Sequence, residues 1–289
     1  MFEKGKRYLL IILLLVLFTS VLVIVYLNFS HKKSELTFAM LNVGQGDALY
    51  IESPTGTQVL VDGGPAKKIL SRLSRVMPLF DRSIDALIIT NPDADHIGGF
   101  LDVLKTYKVG QVFEAGTFND SATYKNLKNK INEKNIPVSL AKKGMRIDLG
   151  GGAIIDVLFP DRDVSDWTTN DGSIVAELVY GDTKVILTGD ATTETEKIVL
   201  ENNILESLDV DILKVGHHGS RTSTGKEFVK ALSPAYALIS SDGGKKYGHP
   251  YQETLDTLKS FDVKILRTDL LGSIIMKSDG KVETFSFMK

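Results

Sequence analysis

Cysteine is absent from this chain of 289 residues. The absence excludes disulfide bonds and thiolate ligands, so any metal site has to be built from His, Asp and Glu side chains. An excess of charge is lacking as well, because 34 basic residues stand against 36 acidic ones. A formal net charge of -2 gives no bulk sign of a nucleic-acid-binding protein, so local patches would have to carry such a function. No low-complexity linker divides residues 36–289, which favours one α/β domain.

A long apolar run over residues 8–29 is the first feature that is present. A helix of that length spans about 33 Å, enough for a bilayer core of about 30 Å. A cleaved signal peptide is the alternative, but the run is longer than a usual signal-peptide core and no Ala-x-Ala-like site follows it. Basic residues before the run slightly favour a cytoplasmic N terminus. The prediction is a single-pass cell-membrane protein with a cytoplasmic segment 1–7, an anchor 8–29, a tether 30–35 and an extracellular domain 36–289.

Between residues 86 and 99, an apolar run passes directly into an Asp-x-Asp-His group. Ala86–Ile89 is typical of a buried strand. The segment Asp93–His96 then places carboxylate and imidazole donors at the rim of a sheet, a combination that suits Zn, Mn or Fe. The alternative is that an aspartate only caps the helix predicted over Ile97–Tyr107.

Small polar groups follow several other predicted strands. They are Asp62-Gly63-Gly64, Thr188-Gly189-Asp190, the segment Gly216–Ser220 with its histidine pair, and the loop that contains His249. Asp62, Gly63 and Gly64 are interpreted as a structural turn near the site, since Asp-Gly favours turns. Each group alone has an ordinary structural explanation, whereas all of them together indicate a shared site.

Six motifs in this order resemble the metallo-β-lactamase fold superfamily, and more narrowly the C-terminal hydrolase domain of ComEC-type competence proteins. The motifs are Gly44–Asp47, Val61–Gly64, Asn91–His96, Leu187–Asp190, Val215–Ser220 and Gly248–Pro250. The resemblance implies a four-layer αββα sandwich with a metal site where two sheets meet, and hydrolysis by a metal-bound hydroxide. It also implies one or two divalent metal ions, Zn or Mn, single- or double-stranded DNA as substrate, and a DNA-uptake channel as a partner.

The resemblance also implies a set of site residues. The implied metal ligands are Asp93, Asp95, His96, Asp190, His217 and His249, with Asn91 and Asp171 as further candidates, and the implied catalytic residues are Asp95, His217 and His218. Asn91 stands where the family motif usually has its first histidine. An amide oxygen is a weak ligand, so the first metal site is expected to be loose, oxygen-rich or empty, and an oxygen-rich site favours Mn over Zn. Which imidazole binds metal and which serves in acid–base chemistry stays open.

Two further groups are candidate substrate contacts. Ser220 and Arg221 precede a predicted helix, where amides, hydroxyls and a guanidinium can hold a phosphate. Lys245 and Lys246 are expected to form a basic lip with Tyr247 for a nucleic-acid strand. The predicted function is therefore a membrane-anchored, metal-dependent phosphodiesterase or nuclease. The alternatives are a metal-dependent hydrolase of a small ester, lactone or lactam, and a binding relative that has lost catalysis.

Overall fold

The computed structural model describes residues 2–30, 35–202 and 210–289. The chain forms two compact units, of which the second begins at Glu35. The first contains helix α1 (Phe2–Ser30), whose stretch Gly5–Val23 has a mean hydropathy of 2.2. By length and composition this stretch is able to cross a membrane. Residues 31–34 of the predicted tether lie outside the described residues.

The second unit contains strands and helices in alternation. Its first half comprises β1 (Leu36–Met40), β2 (Leu49–Glu52), β3 (Gln58–Val61), α2 (Ile69–Val76), β4 (Ser83–Ile89), α3 (Ala94–Ile97), α4 (Phe100–Thr106), β5 (Lys108–Glu114), α5 (Ala122–Glu133) and β6 (Val138–Leu140). Its second half comprises β7 (Arg146–Gly150), β8 (Ala153–Phe159), β9 (Val175–Tyr180), β10 (Thr183–Leu187), α6 (Thr193–Asn202), β11 (Ile212–Lys214), a 3₁₀ turn (Gly216–Gly219), α7 (Lys226–Leu232), β12 (Tyr236–Ile239), α8 (Gln252–Ser260), β13 (Lys264–Arg267), α9 (Thr268–Leu271), β14 (Ser273–Ser278) and β15 (Glu283–Met288).

The strands form two mixed sheets. The first has the order β15-β14-β1-β2-β3-β4-β5-β6, and the second has the order β13-β12-β11-β10-β9-β8-β7. Strands β3 to β6 run parallel in the first sheet, and β10 to β13 run parallel in the second. Parallel neighbours need crossover connections, and most of those in these two regions contain a helix.

Three apolar cores lie between four layers. Side chains of both sheets, such as Phe38 and Leu178, fill the central core. The outer face of the first sheet packs on α2, α4 and α5 through residues such as Leu73 and Phe100. The outer face of the second sheet packs on α6, α7 and α8, as Phe228 illustrates. The predicted four-layer αββα sandwich and its α/β class are confirmed.

The inner strands are apolar because both faces of each sheet are covered. In β3, Val59 and Val61 belong to the central core, whereas Leu60 belongs to the outer core of the first sheet. This arrangement produces the continuous apolar runs that predicted β3 and β4. Strands β9 and β10 form an antiparallel hairpin across Gly181-Asp182.

The helix predicted over Ile97–Tyr107 is instead two helices, α3 and α4, and α3 already contains His96. Gly98 and Gly99 lie between the two helices, and the break occurs where Gly99 contacts the chain at Gly63. A Cβ atom at Gly99 would lie 2.1 Å from the carbonyl oxygen of Gly63, so only glycine allows this approach. The contact brings the end of β3, where Asp62 lies, against the helix that carries His96.

Candidate metal centre

Titratable side chains from both halves of the sandwich meet in one cluster. The cluster contains Asp47, Asp62, Asp95 and His96 from the first half and Asp190, Lys214, His217, His218 and His249 from the second. Within it, four buried residues each offer a donor atom, and these atoms all lie within 4.8 Å of one another: Asp47, His96, Asp190 and His218. Carboxylate oxygens and imidazole nitrogens at such separations are a donor set for a divalent metal.

A buried carboxylate orients His96. Nδ1 of His96 lies 2.8 Å from Oδ2 of Asp62, and Nε2 lies 3.0 Å from Oδ2 of Asp190. Asp62 also accepts hydrogen bonds from the backbone N–H and the hydroxyl of Thr90. An ionised Asp62 can only accept a hydrogen bond, so Nδ1 of His96 carries a proton. Burial opposes a positive charge on this imidazole, but Asp190 and Asp62 raise its pKa well above the usual value, so a metal at Nε2 would have to displace the second proton. The predicted structural turn at Asp62 thus also orients an imidazole.

His218 is oriented in the same way by a carbonyl oxygen. Its Nδ1 lies 3.1 Å from the carbonyl oxygen of Ser240, and its Nε2 lies 3.6 Å from Oδ1 of Asp190 and from Oδ2 of Asp95. Among the described residues, this Nε2 and Oδ1 of Asp190 have no hydrogen-bond partner although both are buried. Buried polar atoms without a partner are costly. A divalent cation that bound both atoms would remove this cost, so the residues fit a metal.

The charges of the cluster depend on one another. Burial opposes the negative charge of Asp190, but His96 and His218 outweigh it and hold the pKa of Asp190 well below its usual value. Burial likewise opposes the positive charge of His218, but Asp190 and Asp47 raise the pKa of this imidazole to about 9. Asp95 is partly buried, yet contacts with both imidazoles lower its pKa to about 2. A metal would therefore compete with protons for the two imidazoles.

Lys214 is a fully buried cation next to these carboxylates. Its ammonium forms an ion pair with Asp47, lies 4.0 Å from Oδ1 of Asp190, and donates to the carbonyl oxygen of Gly189 at 2.5 Å. A buried carboxylate needs a partner of opposite charge, so Lys214 stabilises the ionised form of Asp47. Neither Asp47 nor Lys214 is among the predicted site residues. The signal available in the sequence is a lysine inside the otherwise apolar segment 212–215.

Two further imidazoles lie at the rim of the cluster. His217 has Nδ1 3.2 Å from the hydroxyl of Thr222 and Nε2 3.8 Å from Oδ2 of Asp190. Nδ1 of His249 lies 3.4 Å from Nε2 of Gln45, and the rings of His249 and His217 are 5.4 Å apart. Burial lowers the pKa of His217, and burial together with nearby imidazoles lowers that of His249 to about 4. Both rings are therefore neutral at pH 7 and able to accept a proton.

The 3₁₀ turn Gly216–Gly219 holds the His217-His218 pair in a left-handed backbone conformation, with φ angles of 45° and 57°. This conformation is unusual for residues other than glycine and costs on the order of 1–3 kcal/mol per residue. A side chain of helix α6 binds the backbone of the segment that follows the turn. The carboxylate of Glu196 accepts hydrogen bonds from the backbone N–H groups of Thr224 and Gly225, at 2.5 and 2.9 Å.

Asn91 and Asp93, which are expected to contribute to the first metal site, form hydrogen bonds with uncharged side chains. The side-chain amide of Asn91 donates to Oδ1 of Asn170 at 2.8 Å. The carboxylate of Asp93 accepts from the amide of Asn119 at 2.6 Å and from the hydroxyl of Thr169 at 3.0 Å. Asn91 and Asp93 therefore have protein partners and lie outside the group of four buried donors.

Asp171 and the predicted substrate contacts also lie outside the group of four buried donors. Both carboxylate oxygens of Asp171 accept hydrogen bonds from threonine hydroxyls. Ser220 is buried inside the loop after the histidine pair, while Arg221 is exposed. Lys245 and Lys246 are exposed in the loop before His249.

The chain matches the family model of the metallo-beta-lactamase superfamily over residues 41–243, and it belongs to this superfamily. Two of its relatives are competence proteins. It is 31% identical over 270 residues to ComE operon protein 3 of Bacillus subtilis (strain 168), covering 88% of this chain and 34% of that protein. It is 26% identical over 248 residues to competence protein ComA of Neisseria gonorrhoeae, covering 84% and 32%. The chain spans about a third of the length of these relatives, and the predicted resemblance is confirmed.

Solved structures show the same fold. The metallo-beta-lactamase fold protein YhfI from Bacillus subtilis aligns with a TM-score of 0.51 at 13% identity, over 80% of this chain and 96% of that one. CmlA, a diiron beta-hydroxylase from Streptomyces venezuelae, aligns with a TM-score of 0.51 at 15% identity, over 88% and 54%. At these identities the likeness concerns the fold alone.

We predict that the full chain, purified in detergent, binds about one equivalent of a divalent metal through the buried donors. Asp190→Asn should abolish stoichiometric binding, and Asp62→Asn should weaken it about 10- to 100-fold because His96 loses its orienting carboxylate. Elemental analysis after dialysis against Mn or Zn, together with titration calorimetry, measures both effects. Asp171→Asn is the matched control and should bind normally. Two tightly bound equivalents, or full binding by Asp190→Asn, would contradict this assignment.

Glu196 gives the folded protein a pH-dependent stability. Burial raises its pKa to about 7, even though the two backbone N–H donors act to lower it. The folded protein therefore holds this proton at pH values where the unfolded chain, with an ordinary pKa of 4.5, has lost it. The stability from this proton is fully present below about pH 4.5 and is lost as the pH rises to about 7.

Replacement of Glu196 by glutamine removes this titration. Relative to Glu196→Gln, we expect the free energy of unfolding of the wild type to fall by up to about 3 kcal/mol between about pH 5 and about pH 8. Chemical unfolding followed by intrinsic fluorescence measures the difference. Glu194→Gln, which changes an exposed carboxylate on the same helix, should follow the wild type at every pH. Parallel pH profiles for wild type and Glu196→Gln would show that the buried carboxylate does not titrate in this range.

Proposed function

We propose that the protein is a membrane-anchored, metal-dependent phosphodiesterase that cleaves DNA. The observation that carries the proposal is that two neighbouring buried atoms, Nε2 of His218 and Oδ1 of Asp190, have no hydrogen-bond partner in the described part of the chain. A site for a divalent cation close to exposed basic side chains suits a phosphodiester, because both stabilise its negative charge.

His96, Asp190 and His218 are the residues that would hold the metal, with Asp95 as the ligand on the more exposed side. The side chain of Asp95 is 24% exposed, whereas those of His96 and His218 are almost completely buried. A bound divalent metal supplies Lewis acidity, which lowers the pKa of a coordinated water and neutralises charge on a phosphate. The low pKa of Asp95 suits a ligand that stays ionised, and suits a base less well.

His217 is the proposed proton acceptor. Its side chain is 24% exposed, and the lowered pKa keeps it neutral at pH 7, so it can take a proton from an attacking water. The hydroxyl of Thr222 beside Nδ1 fixes the orientation of the ring. His249 provides a second neutral imidazole next to it.

Exposed cations and aromatic rings near these imidazoles support a nucleic-acid strand as substrate. The guanidinium of Arg221 lies 4.1 Å from the ring centre of Tyr251, whose ring contacts His249 at 5.2 Å. The ammonium of Lys246 lies 4.6 Å from the ring centre of Tyr247, and this ring is 49% exposed. Basic groups beside exposed aromatic rings are typical of surfaces that bind single strands. Two relatives of this chain are named competence protein ComA and recombination protein 2, and these names agree with DNA as the substrate.

The uncharged network around Asn91 favours a second candidate, a binding relative without catalysis. In that case hydrogen bonds would take the place of the first metal site. Asn91 bonds to Asn170 and to the backbone N–H of Asp93, and the carboxylate of Asp93 bonds to Asn119. The two candidates differ in whether purified protein with bound metal cleaves DNA.

Helix α1 supports attachment to a membrane. Its apolar stretch Gly5–Val23 is long enough to span a bilayer. The orientation, with the domain from residue 35 onwards outside the cell, is proposed from the basic residues that precede the apolar run. Digestion of this domain by protease added to intact spheroplasts would support the orientation. Protection until the cells are lysed would reverse it.

We predict that the full chain in detergent cleaves single-stranded DNA in the presence of Mn or Zn. His96→Ala should lose this activity together with the metal, and His217→Asn should lower kcat about 100-fold while metal binding is retained. Gel assays on end-labelled oligonucleotides measure the rates of DNA cleavage. Hydrolysis of a chromogenic lactam tests the alternative function, a hydrolase of small esters, lactones or lactams.

The arms of this assay separate the alternatives. Lactam hydrolysis without DNA cleavage would replace the phosphodiesterase by a small-molecule hydrolase. Bound metal without hydrolysis of either substrate would favour the binding relative. Unchanged DNA cleavage by His96→Ala would overturn the assignment of the activity to this metal centre.

A further inference from the structure

A cleft of about 690 Å³ lies beside the candidate metal centre. Its walls come from the segments 42–45, 65–68 and 241–246, together with Asp269. The residues that carry its chemistry are Gln45, Lys68, Lys245 and Lys246, and we call it the lysine cleft.

Gln45 connects the lysine cleft to the metal centre. Its Nε2 lies 3.4 Å from Nδ1 of His249, while its side chain also lines the cleft. Gln45 is only 7% exposed, and among the described residues its Oε1 has no hydrogen-bond partner. Gln45 therefore lies where the two spaces meet, and its unused acceptor is able to bind an N–H donor such as that of a nucleobase.

Three lysines line the cleft from two separate segments of the chain. Lys68 lies over the backbone of Gly44, because a Cβ atom at this glycine would be 3.1 Å from the lysine Nζ. Lys245 and Lys246 come from the loop before His249. Within the described part of the chain, none of the three lysines forms an ion pair within 4.0 Å.

The carboxylates of the cleft, in contrast, already have partners. Asp269 receives two hydrogen bonds from the guanidinium of Arg267, at 3.0 and 2.7 Å, and a third from the hydroxyl of Ser241. Asp242 accepts from the backbone N–H of Lys245 at 2.9 Å. Only the charge of Asp269 is neutralised by a cation, and the three lysines outnumber the remaining carboxylate of Asp242, so the cleft is net positive and suits an anion.

We propose that the lysine cleft binds a phosphate of a single-stranded polynucleotide next to the phosphate that lies at the metal centre. The inference rests on the proposed function and adds a second phosphate site, with Lys68 as a contact. A single strand is favoured over a duplex because the half-exposed ring of Tyr247 follows Lys246 directly and offers a face on which a base can stack. A substrate with only one phosphate leaves the cleft unused, so the site selects polynucleotides.

The test is the salt dependence of binding, measured without cleavage. Full chain in detergent and EDTA is titrated into a fluorescein-labelled oligothymidine, and anisotropy gives the dissociation constant at several salt concentrations. Each phosphate contact on a single strand contributes about 0.7 to the slope of log K against log salt. Because the cleft holds one phosphate, we expect the triple alanine variant of Lys68, Lys245 and Lys246 to lower the slope by about 0.7, and Lys68→Ala to lower it by part of that amount.

Lys197→Ala is the matched control, because this lysine is 67% exposed on helix α6 and should leave the slope unchanged. All three cleft lysines are exposed, so their substitution should not affect folding, which melting curves check. A wild-type slope in Lys68→Ala would overturn the proposal, as would equal loss of affinity for single-stranded and duplex probes. Loss of slope in the cleft variants of a protein that cleaves no DNA would support the cleft and reject the phosphodiesterase, so the two failures are distinguishable.

Discussion

The balance of buried charge around Asp190 is the interaction on which the rest of this site depends. This carboxylate contacts His96 from the first half of the sandwich and His218 from the second, and the ammonium of Lys214 lies nearby. Lys214 in turn pairs with Asp47, so each buried charge has a partner of opposite sign. Removal of one member would leave an uncompensated charge in the interior, which typically costs 3–5 kcal/mol. The same contacts tie the two halves together, so the geometry of the site and the docking of the sheets depend on each other.

Partners that can only accept hydrogen bonds set the direction of the two central imidazoles. Asp62 and the carbonyl oxygen of Ser240 each face an Nδ1 atom, and as a result both Nε2 atoms face the cluster. Neither orienting group would bind the metal. The donor set therefore depends on residues behind the site, which fix the tautomers before any ligand arrives.

The fold followed from the sequence more readily than the site did. Strands covered on both faces give continuous apolar runs. His96, Asp190 and the histidine pair could be predicted as site residues because they follow the ends of those runs. The sequence does not identify the partners that join distant segments. Asp47 resembles an ordinary turn residue after two glycines, and Lys214 is a single charge in an apolar run until the fold brings the two together. The network around Asn91 was hidden for the same reason, since Asn119 and Asn170 lie in loops without a motif.

The left-handed backbone at His217 and His218 implies a conflict between stability and activity. Glycine would fit both positions without strain, so replacing either histidine by glycine is expected to relax the backbone while removing an imidazole from the cluster. Anchoring of the following segment by Glu196 offsets part of the strain. Selection for thermal stability alone would therefore favour the replacement of these histidines. Variants stabilised at this turn would be inactive.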